Sequence, residues 1–183
     1  MNTPTLHTDR LTLRAFTEAD LDTFSQYRAR PEVAKYQGWS DYSYSDALSL
    51  FNNTDYANFA VAGQWYQLAI ADSDSDHLLG DLAVHFIDEQ QVEIGFTVAP
   101  ENQQKHLARE AVTALLAYLF GTLNRHRVTA TTDTENTASY RLLESLGFRR
   151  EAHFRKNIFF KGAWGDEYQY ALLSTEQTAT QHV

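Results

Sequence analysis

The chain has 183 residues, no cysteine and a formal net charge of −9. This length suits one domain with a core of its own, and the lack of thiols excludes a disulfide framework, a thiolate metal site and a cysteine nucleophile. The excess of 24 acidic over 15 basic side chains argues against a nucleic-acid-binding surface and tolerates a cationic partner.

The histidines and the opening residues exclude further classes. The seven histidines are scattered without a metal-ligand spacing, so we predict no metal site. The first ten residues are polar, and no apolar run approaches the length of a membrane span. We therefore expect a soluble, cytoplasmic protein that binds neither nucleic acid nor a membrane.

In the N-terminal third, the residue pattern predicts one strand and two helices. Residues 10–14 alternate as a half-buried strand does, and Thr17 then caps a helix that we expect Pro31 to end. A second helix is predicted from Ser43 to Phe51, followed by a polar loop that runs to Gly63.

The middle of the chain predicts three consecutive strands and a long helix. Residues 65–70 and 78–87 have strand composition and flank an acidic turn, and Val92 to Val98 alternates apolar with polar residues. Pro100 forbids continuation of that strand. From Leu107 to Phe120 the apolar residues recur every three or four positions, which predicts a helix with one buried face.

The C-terminal part predicts a strand, a helix and a hairpin. Residues 126–132 are β-branched in strand fashion, Asn136 is placed to cap a helix, and Gly147 is placed to end it in a left-handed conformation. A final hairpin and a frayed polar tail are predicted over residues 149–160, 164–172 and 174–183.

The turn before the long helix carries the first motif. Glu101 to His106 lies at a helix start, where unpaired N–H groups and the helix dipole attract an anion such as a phosphate. Gln103-x-x-His106-x-Ala108, followed by Glu110-Ala111, resembles the acetyl-CoA signature of the GNAT acetyltransferases, Gln/Arg-x-x-Gly-x-Gly/Ala. His106 stands where the family has glycine, and histidine tolerates a left-handed conformation better than most residues.

The second motif lies in the following helix, and it resembles the GNAT pattern Asn-x-x-Ser-x-x-x-x-Glu-x-x-Gly-Phe at every position. Its residues are Asn136, Ser139, Glu144, Gly147 and Phe148. The opening, residues 7–20, and the final hairpin with Trp164 resemble the ribosomal-protein alanine acetyltransferase branch of that superfamily. The likeness covers nearly the whole chain, so we expect a single GNAT domain over residues 1–173.

The resemblance implies an α/β (α+β) fold. We expect a mixed, mostly antiparallel central sheet in which one parallel strand pair splays, with helices on both faces. Acetyl-CoA, as co-substrate, would place its pantetheine arm between residues 92–98 and 127–132 and its diphosphate on the turn 103–108. The expected cofactor-binding residues are Phe96, Thr97, Val98, Gln103, Gln104, Lys105, His106, Leu107, Ala108, Arg109, Asn136 and Ser139.

The resemblance also implies catalytic roles. Ser139 would protonate the departing thiolate, since the similar branch carries serine there, and a backbone N–H near Val98 would hold the oxyanion. Tyr140, roughly 100° around the helix from Ser139, is the alternative acid. From its own position, on the strand face that it shares with Gly95 and Thr97, Glu93 is the candidate base, directly or through water, with a structural carboxylate as the equal alternative. Weaker candidates for the base are Glu110 and Asp166.

The expected function is therefore acetyl-CoA-dependent N-acetylation of a primary amine by direct attack on the thioester. The acceptor is a peptide or protein N-terminus or a small cationic amine, and the chain is a monomer or a homodimer. The alternative is a regulatory or scaffold module that binds acyl-CoA with weak turnover. In the family, the region after the first helix forms a wall of the acceptor site, and here it is rich in aromatic residues, namely Tyr36, Trp39, Tyr42, Tyr44 and Tyr56.

Overall fold

The computed structural model describes residues 1–179. Its strands are β1 (Leu6–His7), β2 (Leu11–Ala15), β3 (Gln64–Asp72), β4 (Leu78–Phe86), β5 (Gln91–Val98), β6 (Arg127–Asp133), β7 (Arg149–Phe160) and β8 (Ala163–Leu173). Its helices are α1 (Leu21–Arg28), α2 (Pro31–Ala34), α3 (Tyr44–Asn53), α4 (Leu107–Ala117) and α5 (Thr137–Ser145). Short 3-10 or π segments lie at Glu18–Asp20, Pro100–Asn102, Tyr118–Thr122 and Ser174–Ala179.

The eight strands form one mixed sheet in the order β1-β2-β3-β4-β5-β6-β8-β7. Every neighbouring pair is antiparallel except β5 and β6, which are parallel. The predicted fold class is thus confirmed. α4 connects β5 to β6 as a crossover, so the carboxyl ends of these two parallel strands lie at the same edge of the sheet, where ligands of open α/β sheets bind.

Two apolar clusters cover the two faces of the sheet. The larger packs α4 and α5 on one face, with Val92 and Ile94 of β5 buried beneath Leu115 and Leu143. The smaller packs α1 and α3 on the other face, around Phe24 and neighbouring side chains. Since strand residues alternate between faces, the odd-numbered residues of β5 face the α1 side. No helix among residues 1–179 is both long and apolar enough to cross a membrane.

Two of the predicted boundaries are wrong. α1 ends at Arg28, and Pro31 begins the short helix α2 at its first position, where the missing N–H of proline costs nothing. The tail is ordered over Ser174–Ala179 because the Glu176 carboxylate accepts the Leu173 N–H and pairs with Arg149. The remainder of the predicted tail, residues 180–183, lies outside the described residues.

Candidate active site

The two parallel strands part soon after they begin. β5 pairs with β6 over only three positions, from Gln91 opposite Arg127 to Glu93 opposite Thr129. Both strands then continue without pairing to each other, β5 to Val98 and β6 to the end of its own range. The predicted splay is therefore confirmed, and it opens a wedge between two strand edges.

The free edge of β5 presents backbone donors to this wedge. The Ala99 N–H donates to the Leu79 carbonyl on the β4 side at 2.9 Å. Since backbone groups alternate between the two edges of a strand, the N–H groups of Phe96 and Val98 point away from β4, toward the wedge. The Val98 carbonyl confirms this direction because it accepts the Gln103 side-chain amide at 3.0 Å.

A cavity of about 190 Å³ occupies the wedge. Its floor is the β5 segment Ile94 to Phe96 and the β6 segment Ala130 to Asp133. Further walls come from α5, from the loop after α2 and from the final hairpin. The residues contributed by these walls are Asn136, Ser139, Tyr36, Gln37, Gly38, Ile158 and Glu167.

The turn between β5 and α4 has the backbone conformation of an anion-binding site. Gln104 and His106 both adopt left-handed conformations, with φ of 60° and 61°, and His106 occupies the cap position of α4. Within the described chain, the backbone N–H groups of residues 104–109 donate to no protein acceptor, and the first helical bond comes from Glu110 to the His106 carbonyl. Unpaired donors at a helix start attract phosphate. His106 therefore adopts the conformation expected of the family's glycine.

The side chains of this turn stabilise it and do not occupy the proposed phosphate position. Gln103 holds the end of β5 through Val98, and Lys105 donates to the Asn102 side chain at 3.0 Å. Arg109 donates to the Ser145 carbonyl and hydroxyl, which ties α4 to α5. Leu107 is buried in the core, Ala108 is half-buried, and the His106 side chain is exposed. In this turn the backbone N–H groups are therefore the donors available to a phosphate, and the side chains stabilise the conformation of the turn.

α5 brings Ser139 to the cavity. The Asn136 side chain accepts the Ser139 N–H at 3.2 Å, which confirms the predicted cap, and Gly147 closes the helix with φ of 89°. Ser139 is half-buried and lines the cavity. Tyr140 is directed to the hairpin, where its ring packs edge-on against Tyr168 at 5.8 Å. The placement favours Ser139 as the proton donor.

Glu93 lies on the α1-facing side of β5, next to the point where the strands part. Its carboxylate accepts the Thr131 hydroxyl at 3.3 Å, and Thr131 itself lines the cavity. His85 of β4 is its cross-strand neighbour. Glu93 is one residue removed from the cavity wall, within reach of a proton through an intervening water.

The weaker candidates for the base, Glu110 and Asp166, are engaged in structural hydrogen bonds. Glu110 accepts hydrogen bonds from the Thr8 hydroxyl and from Arg10, and these outweigh the effect of burial, so the pKa of Glu110 lies below its usual value. The backbone N–H of Lys156 donates a hydrogen bond to the Asp166 carboxylate, and this bond lowers the pKa of that carboxyl below its usual range. Both groups are therefore poor proton acceptors.

A buried charge cluster that the sequence did not predict lies beside β5. Asp81 is 1% exposed and accepts the Tyr27 hydroxyl, the Arg28 guanidinium and the Gln67 side-chain amide. The Arg28 guanidinium lies over the rings of Phe24 and Trp39, with centroid distances of 4.3 and 4.6 Å. The sequence signal that could have indicated this cluster is Asp81, a charged residue within the mostly apolar strand β4.

This cluster supports one wall of the cavity. The Trp39 indole N–H donates to the Arg28 carbonyl at 3.1 Å, and Trp39 directly follows the cavity-lining residues 36–38. Of the predicted aromatic wall, Tyr36 lines the cavity, whereas Tyr42 packs on Phe24 and Tyr44 is exposed.

The cavity has an acidic end, formed by Asp133 and Glu167. A second cavity of about 410 Å³ shares Tyr36 and Asp133 with the first and extends along the hairpin toward Trp164. The Asn157 side chain donates to Glu167 at 2.5 Å. Neither acid was identified from the sequence, because the two come together at the cavity only when the final hairpin pairs with β6.

Coenzyme A fits the residues that are present. Its diphosphate needs several converging N–H donors, and residues 104–109 offer them at the start of α4. Its amide-bearing arm needs an unpaired strand edge, which β5 offers through Phe96 and Val98. Among the described residues, no group of three or more His, Asp or Glu side chains is arranged to hold a metal ion.

Comparison with known proteins agrees with this geometry. The family model described as an acetyltransferase (GNAT) domain matches residues 10–149. An uncharacterised N-acetyltransferase, p20 of Bacillus licheniformis, is 34% identical over 94% of this chain and 97% of its own length. A crystal structure of a GNAT-family acetyltransferase from Bacillus anthracis superposes with a TM-score of 0.85 at 31% identity, covering 94% of this chain and all of its own.

Two more distant relatives have acceptors in their names. The spermidine N(1)-acetyltransferase of Vibrio cholerae is 26% identical over 91% of this chain and 95% of its own length. The ribosomal protein uS5-alanine N-acetyltransferase of Escherichia coli is 32% identical, but over only 46% of this chain and 44% of its own length. The superfamily is confirmed, whereas the ribosomal-protein branch finds only partial support. Fold, donor arrangement and relatives agree that the chain belongs to the GNAT acetyltransferase family and is an N-acetyltransferase.

Proposed function

We propose that the protein transfers the acetyl group of acetyl-CoA to the primary amine of a small cationic molecule, by direct attack of the amine on the thioester. The observation that carries the proposal is that the unpaired β5 edge and Ser139 border one wedge, and that the unpaired N–H groups of residues 104–109 follow directly where β5 ends and α4 begins. Acetyl-CoA supplies the acetyl group in an activated form when bound.

The chain contributes three kinds of group to the transfer. The Val98 or Phe96 N–H donates to the carbonyl oxygen as negative charge develops on it, a contribution of roughly 3 kcal/mol per donor in other enzymes. The Ser139 hydroxyl donates its proton to the departing thiolate and takes a second proton from the nitrogen as the amide forms, so the serine ends the step protonated. Glu93 receives the proton that the amine must lose, directly or through a water bonded to Thr131.

The acceptor is proposed from the charged residues that line the cavity and from the space that the cavities offer. Asp133 and Glu167 place carboxylates at the cavity, and the chain as a whole carries a formal charge of −9. The second cavity continues from the first past Tyr36, so an elongated amine has space beyond the reacting nitrogen. The lining of the second cavity includes three lysines as well as three acids, so its charge does not by itself favour a cation. A polyamine is favoured by the two carboxylates of the first cavity and by the room beyond it, and agrees with the spermidine-acetylating relative. A peptide N-terminus is the second candidate, favoured by the partial likeness to the uS5-alanine enzyme.

Thiol release tests the proposal, and the chain suits this assay because it has no cysteine of its own to react. Acetyl-CoA with a panel of polyamines, aminoglycosides and short peptides should release free coenzyme A fastest with polyamines. The cysteine-free composition also fits a reducing, cytoplasmic setting. If acetyl-CoA binds but no amine releases thiol, the chain is instead a binding module with little turnover.

Ser139→Ala tests the proton donor. We expect the turnover number to fall by roughly 10² or more, as loss of a general acid does, while the affinity for acetyl-CoA stays within a factor of about two. Thr137→Ala is the matched control, because Thr137 is exposed on the same helix and away from the cavity lining. Equal losses of turnover and affinity in Ser139→Ala would refute the assigned role.

A further inference from the structure

A histidine and a glutamate face each other on the α1-facing side of the sheet, just outside the cavity. His85 of β4 and Glu93 of β5 are direct cross-strand neighbours, and the His85 Nδ1 lies 3.7 Å from the Glu93 Oε2. Their side chains are 23% and 31% exposed, so both are partly shielded while retaining a route to water.

The imidazole is held in place from one side by an aromatic ring. Trp65 of β3 is the cross-strand neighbour of His85, and the two rings stack with centroids 4.5 Å apart and planes 8° apart. Trp65 is 53% exposed, so the stack lies at the protein surface. From β5 the charged group that faces His85 is the Glu93 carboxylate.

The imidazole nitrogen that faces Glu93 is buried and lacks a hydrogen bond within the described chain. A buried polar atom without a partner is uncommon in folded proteins and calls for a physical explanation. Here the Glu93 carboxylate lies 3.7 Å away, slightly beyond hydrogen-bond distance. A modest approach of the two groups would permit a proton to pass between them.

Small residues and Thr131 lie between this pair and the cavity. Gly95, two positions beyond Glu93 on the same face, lines the cavity, and its cross-strand neighbour is Ala83. Two residues along a strand span about 6.5 Å, so Glu93 lies within reach of a group bound over Gly95. Thr131, which also lines the cavity, donates its hydroxyl to Glu93.

We propose that His85 receives the amine proton from Glu93 and passes it to solvent, so that Glu93 is ready for the next turnover. The inference rests on the proposed acetyl transfer. In the first step an N–H bond of the acceptor ammonium breaks and an O–H bond forms on the Glu93 carboxylate. In the second step that O–H breaks, an N–H forms at the His85 Nδ1, and water then takes the proton from the imidazole. Trp65 is the positioning residue that keeps the ring in line.

His85→Gln tests the relay, because glutamine keeps a polar side chain but cannot accept and pass on a proton. We expect the turnover number to fall roughly 10- to 100-fold and the acidic limb of its pH profile to move, while acetyl-CoA affinity and the urea midpoint stay unchanged. His77→Gln is the matched control, since His77 is exposed in the β3–β4 turn. It should behave as wild type in all four measurements.

A second variant separates proton transfer from packing. His85→Ala should be slow in ordinary buffer and recover part of its rate when free imidazole is added, whereas Glu93→Gln should not recover. A His85→Gln enzyme with the wild-type rate and pH profile would overturn the inference and leave the acetyltransferase activity intact. A slow His85→Ala enzyme that imidazole does not rescue would also overturn it. Absence of thiol release from the wild type would refute the proposed function and the relay with it.

Discussion

Asp81→Asn tests whether the buried charge cluster holds the α1 side of the molecule together. The carboxylate is 1% exposed and bonds Tyr27, Gln67 and the guanidinium of Arg28, whose Nη2 lies 3.1 Å away. The substitution removes the negative charge and leaves the Arg28 cation, itself 7% exposed, without compensation. Breaking one partner of a buried ion pair costs about 3–5 kcal/mol of stability.

The loss is large enough to measure by denaturation. For a chain of this size, each kcal/mol lowers the melting temperature by roughly 2–4 °C, so Asp81→Asn should melt about 6–20 °C below wild type. Asp76→Asn is the matched control, because Asp76 pairs with Arg14 at 2.8 Å but is 68% exposed. Exposed pairs contribute less than about 1 kcal/mol, and the control should melt close to wild type.

A double variant distinguishes charge from packing. Arg28→Met removes the cation, so its combination with Asp81→Asn should cost less than the sum of the two single changes. Urea unfolding of the four proteins gives the coupling free energy. The reasoning is refuted if Asp81→Asn loses no more stability than Asp76→Asn, or if the two single changes are simply additive.

Three further predictions concern the strands, the turn and the surface. A side chain at Gly80 would collide with the Thr97 carbonyl oxygen, so Gly80→Ala should displace β5 and weaken acetyl-CoA binding in calorimetry; wild-type affinity would contradict this. His106→Gly should leave acetyl-CoA affinity unchanged or raise it, since glycine adopts the left-handed conformation freely; a large loss would show that the imidazole binds phosphate. Hydrogen bonds from two arginines lower the pKa of Glu151 to about 2, so its stabilisation is present at neutral pH and lost as the pH falls through that value. The stability difference between wild type and Glu151→Gln should therefore shrink in urea unfolding below about pH 4, and a difference that stays constant would contradict it.

Local patterns predicted the elements whose causes are local. The alternation of Val92 to Val98 gave the strand, and Pro100 gave its end. Asn136 and Gly147 were identified as caps because capping bonds join residues three to five positions apart, and both caps are confirmed. His106 was expected to tolerate a left-handed turn, and it does so.

What the sequence did not predict depends on contacts between distant segments. Asp81 meets Arg28 across 53 positions, and no local pattern indicates that pairing. Glu167 and Tyr36 become cavity residues only through the fold of the hairpin over β6 and the course of the loop after α2. Pro31 was assigned to a helix end because proline breaks helices, yet the same chemistry makes it a favourable first residue of the next helix.

Amide hydrogen exchange, followed with and without acetyl-CoA, tests the central claim most directly, because it reports on individual backbone N–H groups. We expect acetyl-CoA to slow exchange at residues 104–109 and at Phe96 and Val98, the donors left unpaired in the described chain. Amides of the exposed β3–β4 turn should exchange at an unchanged rate and serve as the internal control. Saturating acetyl-CoA that leaves residues 104–109 unprotected, or that protects a different surface, would contradict this expectation.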